Sequence, residues 1–533
     1  MTVGVKGICY RDGIDALKRW GVPIVEKPGA RWHDVQCPNC SAHNPADMSL
    51  RVQSRMGNLE LQCRNGCQSV AILQLIGFRG VQQVDPPPRR QGTEEHSGQV
   101  RIAYRLQTAY VGRLLYLHGL GWLYWDSKRW APDDGGFAKR AVLDVMAVAL
   151  AESIVDQNLR KDVAKCETAN GIEGVLRVAA ALDGFACTVG DLDADPYLLN
   201  VANGTLDLRT MELRDHDPRD CITKVTHGAW DKAAHATAWA RFIDQVQPDE
   251  QVRAYLQRVA GLSLLGKVAE HILPILTGTG ANGKGTWYGA MLFTLGDYAA
   301  PADPDLFMAR EGAHPTGQMD LRGRRFIVVS ESDEGRRLAE ATMKRLTGGD
   351  TIKARYVHRD LVEFTPSHTA FLVTNHLPKV SGDDPAVWRR LRVIPFDVVI
   401  PPEDRDPHLD EKLQAEADAV LGWAIAGWNA YRANGDKLAE PPQVLAATGD
   451  YQRDSDAVAR FIDEECSTSS PVLKATTTDL FNAWDRWRSA DGAEQLSQKA
   501  FGQALDKRGY PAGKPSNGKR WRSGIALEVK TEA

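Results

Sequence analysis

The glycine-rich run Thr277-Gly278-Thr279-Gly280-Ala281-Asn282-Gly283-Lys284-Gly285-Thr286, directly behind the apolar stretch Ile272-Leu273-Pro274-Ile275-Leu276, constrains this chain more than any other part of it. A short buried strand entering such a loop, with a lysine and a hydroxyl residue opening a helix, cradles a nucleoside triphosphate. The glycines let successive backbone N–H groups face phosphate oxygens, the helix N-terminus adds positive potential, and Lys284 reaches the β/γ-phosphates. Gly278, Thr279, Gly280, Ala281, Asn282, Gly283, Lys284, Gly285 and Thr286 are the candidate nucleotide-binding residues, with ATP and Mg²⁺ as the implied ligands. One position departs from G-x-x-x-x-G-K-[ST]. Gly285 stands where the Mg²⁺-binding hydroxyl belongs and the hydroxyl comes one residue later, so either Thr286 or a water serves the metal.

At 533 residues the chain is too long for one core, and roughly three to five domains are expected. A net charge of −4 excludes a wholesale basic protein, so nucleic-acid contacts must come from local patches. No stretch approaches the ~20 apolar residues of a membrane span, and no membrane association is expected. The N-terminus, Met-Thr-Val-Gly-Val-Lys-Gly, lacks the apolar core of a signal peptide. A reducing cytoplasm is therefore the expected compartment, where nine cysteines read as metal ligands or buried thiols rather than disulfides.

Composition and periodicity divide the chain into five segments. Residues 1–83 form a Cys-containing unit, and residues 84–99, with Pro86-Pro87-Pro88 and mixed charges, read as a flexible linker. Residues 100–235 are mixed α/β, with aromatic strands at Leu114–Leu117 and Trp122–Trp125, a helix over Ala138–Asn158, and a hairpin at Asn203-Gly204. Residues 236–440 hold the glycine-rich loop. There the apolar runs Leu273–Leu276, Phe326–Val329, Thr369–Val373 and Leu391–Pro395 alternate with helical segments, which argues for an α/β sheet with nucleotide at its C-terminal edge. Residues 441–533 contain three helical stretches, 457–465, 476–488 and 498–508, followed by a basic hairpin around Asn517-Gly518, a pattern that suggests a winged helix. Its wing residues Lys514, Lys519, Arg520, Trp521 and Arg522 are candidates for duplex DNA, with a small packing domain as the alternative.

Several side chains extend the nucleotide site. The run Arg324–Ser330 ends at Glu331, with Asp333 and Glu334 close by. An acid ending the strand beside the loop strand holds Mg²⁺ and polarises the attacking water, and Glu331 is the first choice. Thr369–Thr374 ends at Asn375, an amide able to orient water without competing for the metal. Arg389 and Arg390 offer guanidinium groups for a neighbouring subunit's phosphates, or else form a solvated turn. In the N-terminal unit, Cys37 and Cys40 followed by Cys63 and Cys67 make two thiolate pairs suited to one tetrahedral Zn²⁺ in a ribbon, with His33 a conceivable substitute.

Taken in order, Gly280–Lys284, Ser330-Glu331, Lys344–Asp350, Ala354-Arg355, Thr374–Pro378, Trp388–Arg390 and Pro395-Phe396 resemble the superfamily 3 helicases, AAA+-type ATPases of DNA viruses, phages and plasmids. The closer likeness is to the phage/plasmid primase-helicases related to those of poxviruses and satellite phages, and it spans about 100–435. The resemblance implies a multidomain α/β chain: a zinc ribbon, a helicase-associated α/β domain, a P-loop AAA+-type ATPase core and a C-terminal winged-helix-like domain. It further implies a ring, taken as hexameric, that hydrolyses ATP between subunits in a bacterial host. The ring would move 3′→5′ on single-stranded or forked DNA, with host or phage replication proteins as candidate partners.

Carried over by motif, Lys284 binds phosphate, Glu331 is the Walker B acid, Asn375 is sensor 1, and Arg390 or its neighbour Arg389 is the finger acting in trans. In such helicases a hairpin before sensor 1 enters the channel. That hairpin corresponds to Thr351–Phe364, making Lys353, Arg355, His358 and Arg359 the DNA-contact candidates, with a solvated tip as the alternative. The ribbon resembles that of primases, but no nucleotidyl-transfer domain fits between it and the helicase-associated region. Alternatives to a helicase are a primase-helicase with nucleotidyl transfer, and an ATP-switched initiator that binds an origin without unwinding.

Overall fold

The structure is a computed structural model that describes residues 3–19, 33–38, 50–55, 58–64, 67, 69–76, 96–234, 237–309, 315–330, 335–354, 362–380, 384–513 and 520–528. It contains two compact units, residues 1–194 with 216–224, and residues 195–215 with 225–533.

In the first unit, strands Val3–Cys9, Asn58–Cys63, Leu50–Arg55 and His33–Val35 form an antiparallel sheet in that spatial order. Alternation along the strands turns Leu50, Val52, Leu59 and Leu61 inward, where they meet Ile14 and Leu17 of one helix and Ile72 and Leu73 of another. Further along, helix Gly98–Tyr110 packs against Phe137–Glu152, Gln157–Cys166 and Ala169–Ala179. The single helix expected over 138–158 is in fact two. Helix Phe137–Glu152 stops at Ser153, and the Asp156 carboxylate starts the next helix by accepting from the amides of Asn158 and Leu159. Arg101, almost fully buried, holds that same carboxylate at 2.7 Å.

The second unit is built on a five-stranded parallel sheet, ordered Ala299–Pro301, Phe326–Ser330, Thr369–Thr374, Leu273–Thr277, Leu391–Pro395. Four of these strands follow the sequence expectation. The edge strand Ala299–Pro301 is short and carries a proline, so its apolar signal is weak. The sheet also corrects an expectation about neighbours. The strand beside Leu273–Thr277 is Thr369–Thr374, and Phe326–Ser330 lies one strand further out.

The Asn203-Gly204 hairpin forms as expected, but it belongs with residues 225–533 rather than with residues 100–194. Arg325 explains why. Its buried guanidinium donates to the carbonyls of Leu264 (2.5 Å) and Leu198 (2.7 Å) and lies over the Tyr298 ring. Trp428 adds a second tie, its Nε1 donating to Leu208 O at 2.8 Å. The helical stretch 236–270 is likewise divided, into Thr237–Val246 and Glu250–Leu262, with Pro248 between them and Asp249 capping the second. At the C-terminus, Ala457–Glu465, Thr477–Asp491 and Gln498–Lys507 pack around Phe461, Trp484 and Phe501. Strand Trp521–Ser523 pairs with Lys474–Thr476, which precedes the second helix. Three helices and short strands thus form as expected, although one wing strand finds its partner earlier in the chain.

Helices Glu250–Leu262 and Ala417–Ala433 cross so closely that their glycines touch backbone. A methyl at Gly427 would stand 1.9 Å from Gln257 O, and one at Gly261 would stand 2.0 Å from Trp428 N. Gly289, also helical, has nothing within 4 Å of such a methyl. Gly427→Ala should therefore destabilise the protein by about 1–3 kcal/mol. Gly289→Ala should be neutral or stabilise by up to about 1 kcal/mol. Thermal unfolding of the two variants checks both signs.

His368, at the entrance to Thr369–Thr374, is buried with neither ring nitrogen hydrogen-bonded among the described residues, and burial lowers its pKa to about 4. The folded protein keeps it neutral, whereas the unfolded chain protonates it below about 6.5. Stability should thus be unaffected above pH 6.5 and fall as pH drops from 6.5 toward 4, by about 2 kcal/mol at pH 5. Denaturant unfolding at pH 7 and pH 5 should show that loss, and His368→Leu should reduce it.

Candidate nucleotide site

The loop after Leu273–Thr277 is shaped by contacts on both sides. Asn282, almost fully buried, donates from Nδ2 to Phe396 O at 2.9 Å, and the Phe396 amide donates to Thr277 O. A side chain at Gly278 would strike both the Asn282 amide and Phe396 O, within 2.4 Å. Gly280 and Gly283 take positive φ of 102° and 80°, and a methyl at Gly283 would lie 2.4 Å from Val246 Cγ1. Among the described residues no backbone carbonyl accepts from the amides of Thr279 to Lys284. Those N–H groups surround the start of helix Lys284–Leu295, an arrangement suited to phosphate oxygens.

Lys284 is 5% exposed. Its Nζ donates to Gly278 O at 2.8 Å and to Asn375 Oδ1 at 3.1 Å, and burial lowers its pKa. The structure thus brings together Lys284, at the start of its helix, and Asn375, just past the end of the neighbouring strand. Asn375 follows Thr374, whose hydroxyl accepts from the His376 amide and donates to His376 O, fixing the turn. Gly285 is exposed, and Thr286 faces a cavity of about 790 Å³ beside the loop.

Other expected residues fall in different places. Glu331, Asp333 and Glu334 lie outside the described residues, as do Arg355, His358, Arg359 and Cys40. Arg389 and Arg390 part company. Arg390 is 7% exposed, with Nη1 donating to Ala386 O at 2.6 Å, and burial lowers its pKa, whereas Arg389 is exposed. Ile352–Ala354 and Val362–Phe364 form the expected antiparallel pair, on which exposed Lys353 is ion-paired with Glu363 at 2.7 Å. Of the wing residues, Lys514 and Lys519 lie outside the described residues. Arg522 is corrected outright: it is 2% exposed, bound to Asp506 (2.7 Å), Gly502 O (2.9 Å) and Thr477, and so faces inward. In the N-terminal sheet the sulfurs of Cys37, Cys63 and Cys67 lie within 4.8 Å of one another. Thiolates on one tetrahedral Zn²⁺ at about 2.3 Å sit roughly 3.8 Å apart, so this donor set fits the metal.

Sequence reasoning missed the cavity wall. Ala238, Arg241, Phe242 and Gln245 recur at helical spacing on one face of Thr237–Val246, and Ile400 also lines the cavity, its amide donating to Ala281 O. Glu416 interrupts the helix expected over 410–434 and caps Thr237–Val246 from a distance, taking the amides of Thr237, Ala238 and Trp239 at 2.9–3.1 Å. The 3.6-residue period of 238, 241, 242 and 245 was legible. The partnership with Glu416 was not, because no local spacing encodes it.

Residues 103–248 match the family model described as D5 N terminal like, and residues 276–390 match one described as a family of unknown function, DUF5906. A putative helicase (L207/L206) of Acanthamoeba polyphaga mimivirus is 28% identical over 355 residues, covering 62% of this chain and 37% of the relative. Putative helicase 022R of Frog virus 3 is 24% identical, covering 66% and 44%. Putative primase C962R of African swine fever virus (strain Badajoz 1971 Vero-adapted) is 23% identical, covering 63% and 38%. The chain therefore spans less than half the length of these curated relatives. Among solved structures, the apo C-terminal region of NrS-1 aligns with a TM-score of 0.39 at 13% identity, covering 56% of this chain and 77% of that one. The chain carries a D5 N-terminal-like domain and is related to proteins of large DNA viruses named as helicases and primases. Among the described residues no helix is long and apolar enough to cross a membrane.

Proposed function

We propose that the chain is an ATP-dependent replicative DNA helicase of the superfamily 3, AAA+-type class, working as a ring with ATP hydrolysed between subunits. The observation that carries this reading is Lys284 held at 3.1 Å from Asn375, at the C-terminal edge of a parallel sheet, beside loop amides that no described backbone carbonyl engages. Lys284 and the loop amides hold the β- and γ-phosphates. Asn375 orients the attacking water beside them, and its neutral amide leaves the metal to a carboxylate.

The strand order supports the same division of labour. An acid following Phe326–Ser330, for which Glu331 is the candidate, arrives from two strands away, which leaves the space beside the γ-phosphate to Asn375 and water. Mg²⁺, when bound with ATP, neutralises the phosphate charge that develops during transfer. Arg389 is our choice for the finger in trans, because a guanidinium that crosses a subunit boundary must be exposed and Arg390 is not. Lys353, on strand Ile352–Ala354, and Arg355, His358 and Arg359 are the proposed strand contacts. The D5 N-terminal-like match and the relatives named as helicases support the DNA-processing role.

Purified protein should show ATPase activity stimulated by single-stranded DNA and should separate a 3′-tailed fork. Lys284→Ala should abolish both, and Asn375→Ala should lower turnover by about 10²-fold or more while nucleotide still binds. Absence of unwinding by the wild type would sink the helicase reading, and templated oligonucleotide synthesis surviving Lys284→Ala would point to nucleotidyl transfer instead.

We further propose that Cys37, Cys63 and Cys67, with Cys40 as fourth ligand, hold a structural Zn²⁺ in a DNA-contacting ribbon. Elemental analysis should find about one zinc per chain, lost in Cys63→Ser. Chelation should expose the N-terminal sheet to protease without unfolding the second unit.

A further inference from the structure

Helix Pro442–Ser455 packs along the edge strand Leu391–Pro395 of the parallel sheet. Val444, Thr448 and Tyr451 recur at i, i+4 and i+7, which places them on one face, and Pro442 occupies the first helical position. Thr448 Oγ1 accepts from the Val393 amide at 3.0 Å, so a helix side chain serves a backbone donor on the edge strand. Just before the helix, Glu440 accepts from Arg392 Nε at 2.8 Å. These contacts fix the helix against the sheet and set Tyr451 between two segments of the candidate nucleotide site.

The first is the turn after Thr369–Thr374. Tyr451 is 4% exposed, and its hydroxyl donates to Pro378 O. Pro378 lies in the turn that begins at Asn375, and that turn has little slack. Thr374 closes one side through His376, while the Lys379 amide donates to Arg336 O at 2.7 Å and Lys379 O accepts from the Leu338 amide at 2.9 Å. The second segment is the short helix Pro385–Trp388. Trp388 meets the Tyr451 ring edge to face, with centroids 5.2 Å apart, and the exposed Arg389 follows it directly. One side chain thus touches both the turn that presents Asn375 and the helix that presents Arg389.

We propose that Tyr451 is a positioning residue that couples Asn375 to Arg389. It makes the side of a subunit that holds its own nucleotide move with the side that reaches the neighbour's. This rests on the helicase reading, in which those two residues serve different nucleotides. The hydroxyl sets the turn behind Asn375, and the ring sets the helix behind Arg389. Phosphate is held elsewhere, by Lys284 and the loop amides, so nucleotide affinity does not depend on Tyr451.

Two variants of the full chain separate the two contacts. Tyr451→Phe keeps the ring and removes the hydroxyl, whereas Tyr451→Leu removes both. Tyr451→Phe should lower the kcat of the ATPase about threefold to tenfold, the effect of one buried hydrogen bond, and leave the ATP affinity measured by calorimetry unchanged. In the Asn375→Ala background the same change should cost nothing further, because the group it positions is gone. Tyr451→Leu should be slower than Tyr451→Phe, and that difference should vanish in Arg389→Ala. Amide hydrogen exchange supplies a readout that needs no hydrolysis. Tyr451→Phe should speed exchange in peptides covering 374–380 alone, and Tyr451→Leu should speed it in those covering 385–390 as well. Losses that multiply in the double variants, or exchange at 374–380 unchanged in Tyr451→Phe, would overturn the coupling. A wild type without ATPase activity would count against the helicase reading instead, and exchange would still judge whether Tyr451 joins the two segments.

Discussion

The register of three parallel strands sets the candidate nucleotide site. Thr277 pairs with Thr374 on one side and with Pro395 on the other, so the next residue of each strand, Gly278, Asn375 and Phe396, arrives at one edge of the sheet. From there the loop has little freedom. Asn282 is tied to Phe396, Lys284 spans Gly278 and Asn375, and Gly278 admits no side chain between them. A slip of one residue in either pairing would move Asn375 or Phe396 by over 3 Å and turn its side chain to the other face. The geometry of the candidate site is thus inherited from backbone hydrogen bonds in a buried sheet.

That dependence explains what was legible. Strand ends and the residues following them are local, so the loop, Lys284 and Asn375 can be named from apolar runs and glycine spacing alone. Lateral order is not local. Placing the Phe326–Ser330 strand next to the loop strand was a guess about neighbours, and the sheet instead interposes Thr369–Thr374. Helix boundaries failed for a related reason. At 153–156 and at Glu416 the periodicity runs through the break, while capping groups decide where the helices stop. The Glu416 carboxylate serves a helix some 180 residues earlier, which no window of sequence can show.

The arginines carry the sharpest lesson about function. On paper Arg325, Arg390 and Arg522 all sit in basic clusters, and two of them were offered as phosphate contacts. In the structure each is buried and donates to carbonyls or a carboxylate of its own chain, Arg390 through Nη1 alone among the described residues. A guanidinium carries five N–H donors in a planar fork and is weakly hydrated, so it can close several chain segments at once where a lysine could not. The same chemistry suits a phosphate, and composition cannot separate the two uses. Neighbours in sequence can take opposite roles: Arg389 is exposed beside buried Arg390, and Arg520 is exposed two residues from buried Arg522. For a chain of net charge −4, the cations open to any polyanionic partner are those the fold does not consume. On the proposed helicase reading, affinity for strands should therefore track a small set of exposed residues, and its salt dependence should be shallower than a count of lysines and arginines would suggest.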